Sequence, residues 1–207
     1  EMAALGKEIG ADIPFCIYEK TAFVEGVGEK LQFIDEPFEA YLLLVKPKKG
    51  VSTQKAFTSL DLSKVKHQDC RKMKKGIEMN DYQAVIDNLQ NTLELPSIKM
   101  VPQIKEIKKE MKELGFDGAL MSGSGSCVFG ITRNQEIMNK GYEFFRKRYF
   151  FVRKSKILNK EENLWYDFLF CWKDEGICNK LSYSSLIMSY ILLECRRRGV
   201  WQWKLTQ

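Results

Sequence analysis

Met121-Ser122-Gly123-Ser124-Gly125-Ser126-Cys127-Val128-Phe129-Gly130 sets five small residues directly before an apolar run. Small residues let a ligand approach the backbone closely, consecutive N–H groups can cradle an anion, and serine hydroxyls add donors. Read alone, the same residues serve equally as a flexible turn, because a Gly/Ser run is a weak motif. Cys127 to Thr132 reads as a strand, 134–147 as a helix and 149–153 as a further strand. On the N-terminal side of the run, Pro102 stands at a helix start. Ile104, Ile107, Met111 and Leu114 recur at helical spacing until Gly115 ends the helix.

Further out, Tyr41-Leu42-Leu43-Leu44-Val45 is a continuous apolar run, as expected of a buried strand. The loop 46–50 breaks it, and Thr53 is placed to cap a short helix carrying Ala56, Phe57 and Leu60. Residues 61–75 read as a polar stretch containing His67, and 81–93 as a helix with Val85, Ile86, Leu89 and Leu93 inward. Towards the start, Ile13–Tyr18, Thr21–Val24 and Lys30–Ile34 read as short strands, the last two joined by a tight turn at Gly26 and Gly28. Helices alternating with strands in this manner imply an α+β fold, a mostly antiparallel sheet packed with helices.

The chain has 207 residues, 44% hydrophobic and 29% charged, which is enough for a core and too apolar for wholesale disorder. Its net charge of +6 is weak and evenly spread, so it demands neither nucleic acid nor membrane and suits a polyanionic small molecule. No run of eighteen apolar residues predicts a spanning helix. The six cysteines show no metal-like spacing, and reduced thiols are the simplest reading. Met2, Leu5 and Ile9 share a helical face from the first residues, so the sequence is expected to continue a longer protein.

Asp12, in Gly10-Ala11-Asp12-Ile13-Pro14-Phe15, has its backbone fixed between glycine and proline. It reads first as a turn or capping residue, although a carboxylate held there can also take a proton from an alcohol. Phe57 reads equally as a core residue or as a flat ring for stacking.

Taken together and in this order, LGKEIGADIPFCIYEKTAFVEGVGEKL (5–31), VKPKKGVSTQKAF (45–57) and LMSGSGSCVFGI (120–131) resemble the 4-diphosphocytidyl-2-C-methyl-D-erythritol kinase family. That family lies within the galactokinase–homoserine kinase–mevalonate kinase–phosphomevalonate kinase superfamily. The element Asn91-Thr92-Leu93-Glu94, with the proline-containing helix start after it, fits the same pattern. The resemblance implies ATP-dependent phosphorylation of the 2-hydroxyl of the cytidyl substrate in the non-mevalonate isoprenoid route, with Mg²⁺, in the bacterial cytosol. It implies that Asp12 is the catalytic base. It also implies that Ser122, Gly123, Ser124, Gly125 and Ser126 support the phosphate site, and that Thr53 and Phe57 meet the cytidine.

On this resemblance residues 1–12 are the end of an N-terminal catalytic domain and 13–158 are the superfamily's C-terminal domain. The family's catalytic lysine, aromatic–histidine pair and second glycine-rich phosphate loop are expected before Glu1, so the chain alone is expected to be inactive. Residues 159–207 fall outside the pattern, with all four tryptophans, and read as an added helix, a partner surface, or sequence that never evolved with the domain and lacks native structure. Two other readings stand beside this one: another small-molecule kinase of the superfamily, and a non-catalytic basic α+β binding module.

Overall fold

The structure, a computed structural model, describes residues 18, 21–26, 30–60 and 70–157. Two short strands, β1 (Ala22–Glu25) and β2 (Lys30–Phe33), pair antiparallel. After these come β3 (Tyr41–Lys46), α1 (Thr53–Thr58), α2 (Arg71–Glu78), α3 (Tyr82–Asp87), α4 (Glu94–Met100) and α5 (Gln103–Glu113). The order closes with β4 (Gly118–Met121), β5 (Val128–Thr132), α6 (Gln135–Phe145) and β6 (Phe151–Lys156). The last four strands in sequence form one sheet in the order β4-β5-β3-β6, every neighbour antiparallel.

The unbroken apolar run of β3 is explained by burial of this sheet on both faces. Side chains alternate along a strand. Leu42 and Leu44 therefore join Leu120, Phe129 and Ile131 on one face, under Met73 and Ile77 of α2 and Val85 of α3. Leu43 and Val45 join Ala119, Met121, Val128 and Val152 on the other, under Ile104, Ile107 and Met111 of α5 and Met138 and Phe145 of α6. The register aligns Met121, Val128, Val45 and Val152 across all four strands. Phe116 fills the space that two glycines leave on this second face. A Cβ at Gly130 would stand 2.8 Å from its ring, and one at Gly141 2.6 Å.

On the first face Arg133 lies over Tyr82, 4.3 Å from the ring centre, and donates to Glu39 O and Asn80 Oδ1. Tyr82 Oη donates to Asp117 Oδ2 at 2.7 Å, and burial together with that bond pushes the Tyr82 hydroxyl above its ordinary range.

Several expectations require correction. Ser52, not Thr53, caps α1, its Oγ accepting from Lys55 N. Within the stretch read only as polar, residues 71–75 are helical, because Met73 and Ile77 stand one turn apart on a buried face. The expected helix over 81–93 ends at Asp87. Its Asn88 amide donates back to Ala84 O, and Asn91 Oδ1 accepts from Leu93 N to start the next helix, so two asparagines interrupt one apolar pattern. Tyr18 is helical rather than the end of a strand, an ambiguity that short apolar runs carry. Cys70 is disulfide-bonded, against the expectation of reduced thiols, whereas Cys127 is a free thiol. Gly26 has the left-handed φ of 71° that a tight turn requires. Residues 13–17 and Gly28, with Asp12, His67 and the proposed segments 1–12 and 159–207, lie outside the described residues.

Candidate phosphate-loop site

The loop Ser122–Ser126 joins β4 to β5 and turns back on itself through two backbone bonds, Ser122 N to Cys127 O at 2.8 Å and Gly125 N to Ser122 O at 3.0 Å. Gly123 and Gly125 have φ of 55° and 93°, the left-handed region that glycine adopts without cost. At Gly125 space is equally decisive, since a Cβ would lie 2.6 Å from Met121 Sδ.

The loop's carbonyls are held by side chains. Asn91 Nδ2 donates to Met121 O at 2.7 Å and to Gly123 O at 2.8 Å. Ser97 Oγ, wholly buried in α4, donates to Ser124 O at 3.1 Å. Ser126 Oγ, also buried, donates to Lys49 O at 2.7 Å, binding the loop to the segment after β3. Among the described residues the N–H groups of Gly123 and Ser124 make no hydrogen bond. Carbonyls engaged by the protein and amides left unpaired are what a backbone cradle for an anion needs.

Lys46, Lys48 and Lys49 are exposed on the segment that Ser126 grips, and Lys49 Nζ donates to Met100 O at 3.0 Å. Cys127, the first residue after the loop, is partly exposed. Burial of its sulfur pushes the thiol up to about 11, with Lys46 acting in the opposite direction, so it is not a ready nucleophile.

The structure brings Thr53 to the loop. Its Oγ1 lies 2.9 Å from Ser124 Oγ, with either hydroxyl able to donate. Because Ser52 takes the capping role, Thr53 points its own hydroxyl at Ser124 instead. Phe57, one turn along α1, is half-buried and packs against the apolar cluster of the second face, so the core reading of this ring holds in part. Asp12 lies outside the described residues. Sequence reading noted Asn91 and Glu94 as part of a pattern but assigned them no contacts, and it missed Ser97 and Lys49. Their bonds join residues far apart in the chain, and no spacing rule reports those.

Residues 72–150 match the family model described as GHMP kinases C terminal. A Staphylococcus haemolyticus (strain JCSC1435) relative is 44% identical over 142 residues, 69% of this chain and 50% of the relative. A Bacillus pumilus (strain SAFR-032) relative named 4-diphosphocytidyl-2-C-methyl-D-erythritol kinase is 41% identical over 146 residues, 70% of this chain and 50% of the relative. The crystal structure of a 4-(cytidine 5'-diphospho)-2C-methyl-D-erythritol kinase superposes with a TM-score of 0.60 at 26% identity, covering 75% of this chain and 56% of that one. The chain thus spans about half the length of the curated relatives it matches. Among the described residues no helix is long and apolar enough to cross a membrane.

Proposed function

This chain carries the C-terminal domain of a GHMP kinase, and from that premise we propose that it belongs to an enzyme phosphorylating the 2-hydroxyl of 4-diphosphocytidyl-2-C-methyl-D-erythritol. The observation that carries the reading is the 41% identity to the relative bearing that activity's name. The geometry of the glycine loop supports it. ATP, with Mg²⁺, is the donor in this reading and supplies the phosphoryl group.

The chain's residues have these roles. The amides of Gly123 and Ser124, unpaired among the described residues, face phosphate oxygens and stabilise charge spread over the transferred group. Asp12 takes the proton of the 2-hydroxyl as its oxygen forms the new bond to phosphorus and ADP leaves. A tertiary alcohol is hindered and weakly acidic, so a fixed carboxylate that orients it matters greatly. Thr53 and Phe57 meet the cytidine, the ring stacking on the base. Among the described residues no group of three or more His, Cys, Asp or Glu side chains gathers as a metal site. Residues 1–12 belong, in this reading, to the preceding catalytic domain, and the enzyme works in the cytosol.

The test joins this chain to the part of the Bacillus pumilus relative that it does not cover. ADP release with the cytidyl substrate is expected from the joined protein and not from this chain alone. Asp12→Asn keeps the size but cannot accept the proton, and is expected to lower kcat about 10²–10⁴-fold with little change in KM. An unchanged kcat removes Asp12 from the mechanism. Turnover of homoserine or mevalonate in place of the cytidyl substrate would favour another kinase of the superfamily.

A further inference from the structure

Met121 is the last residue of β4, and β4 is an edge of the sheet. Ser122 N–H pairs with Cys127 O, so the neighbouring residue Met121 turns its own N–H and C=O to the open edge. Both groups are taken by side chains from a single turn. Glu94 Oε2 accepts from Met121 N at 2.9 Å, and Asn91 Nδ2 donates to Met121 O at 2.7 Å. The two residues stand where a further strand would stand.

Each is itself fixed. Asn91 spends its second amide hydrogen on Gly123 O at 2.8 Å, and its Oδ1 accepts from Leu93 N at 2.8 Å. Glu94 forms an ion pair with Lys108 of α5, the two side chains only 13% and 22% exposed. A carbonyl and the next residue's N–H share one peptide plane and point opposite ways, so holding Met121 O and Gly123 O fixes the planes that carry Ser122 N–H and Ser124 N–H.

We propose that Asn91, supported by Glu94, is a positioning residue for phosphoryl transfer: it sets the direction of the phosphate-facing amide of Ser124 without touching substrate. This rests on the phosphate role proposed above for the loop. Asparagine is required because two donors and one acceptor are used together. Aspartate has the same shape and keeps the acceptor, but sets a carboxylate oxygen against two carbonyls.

The test uses Asn91→Asp and Asn91→Ala in this chain and in the joined kinase, with Asn88→Ala as control, since the Asn88 side chain donates to Ala84 O of the helix it ends. Amide hydrogen exchange in this chain reads loop order directly. Loss of two bonds is expected to speed exchange at Ser122 and Gly125, whose N–H groups are bonded within the loop, about ten- to a hundredfold, with Ile107 and Phe129 holding within about twofold. In the joined kinase kcat is expected to fall at least about tenfold, with KM for the cytidyl substrate within about threefold. Unchanged loop exchange in both Asn91 variants, or an equal effect from Asn88→Ala, overturns the proposal. So does faster loop exchange with kcat unchanged. If the unmutated joined kinase releases no ADP, the phosphate reading fails first, and the exchange experiment still decides whether Asn91 orders the loop.

Discussion

Thr53 Oγ1 and Ser124 Oγ lie 2.9 Å apart across 71 positions of sequence, joining the first turn of α1 to the centre of the glycine loop. In the proposed reading that bond connects the nucleoside side of the site with its phosphate side. A double-mutant cycle of Thr53→Val and Ser124→Ala is expected to show a coupling of about 0.5–1 kcal/mol in urea unfolding, the modest value of a bond near solvent. Strictly additive losses would mean that the two hydroxyls are solvated independently.

Phe57 must satisfy two demands, since it packs on the second-face cluster while remaining partly open. Phe57→Ala is expected to cost about 1–3 kcal/mol of stability, below the loss for a fully buried ring. In the joined kinase KM for the cytidyl substrate is expected to rise roughly five- to a hundredfold with ATP spared. Equal losses for both substrates would assign the ring to packing alone.

Cys127 gives the chain an alkaline weakness. Its thiol is raised to about 11 by burial, so the folded state holds this proton more tightly than the unfolded chain does. Its stabilisation is therefore fully present below the free-thiol value near about 8.5, and falls as pH rises through about 11. Urea midpoints should decline over that interval more steeply for the parent than for Cys127→Ser. Iodoacetamide at about pH 8 should alkylate native Cys127 roughly a hundredfold more slowly than a free cysteine. Parallel declines in the two proteins would show that the thiol remains solvated.

The described sheet is complete at Ile157, which is buried and donates to Ala40 O at 2.9 Å. We propose that residues 159–207 contribute nothing essential to this domain. A chain ending at Leu158 is expected to keep its unfolding free energy within about 2 kcal/mol of the parent, a fraction of a usual 5–15 kcal/mol margin. A larger loss in urea would make the tail an integral element.

The parts of the fold legible in sequence were those that repeat. Ile104, Ile107 and Met111 show the buried face of α5 by spacing alone, and Gly115 ends it with a φ of 98°. The run 41–45 announced a buried strand, and the two clusters show it covered on both sides. Local competition hid the rest. Thr53 reads as the cap of α1, but Ser52 beside it accepts from Lys55 N and leaves Thr53 to meet Ser124. Asn88 and Asn91 break a pattern whose apolar residues would have continued as one helix. At the site, the Gly/Ser run marked the loop itself, but Asn91, Ser97 and Glu94 reach it across 27 to 32 positions, beyond any local signal.

The fit of Phe116 between Gly130 and Gly141 has a bearing on how this domain can change. A methyl at either glycine meets the ring within 2.8 Å, so neither position can accept alanine while the ring stays. A smaller residue at Phe116 alone leaves a void that nothing nearby fills. The three sites lie before β4, on β5 and on α6, yet they can drift only in paired steps. Helix α6 is therefore not an interchangeable part: transplanted from a relative with a larger residue at the position of Gly141, it would fit only if its own partner for Phe116 came with it.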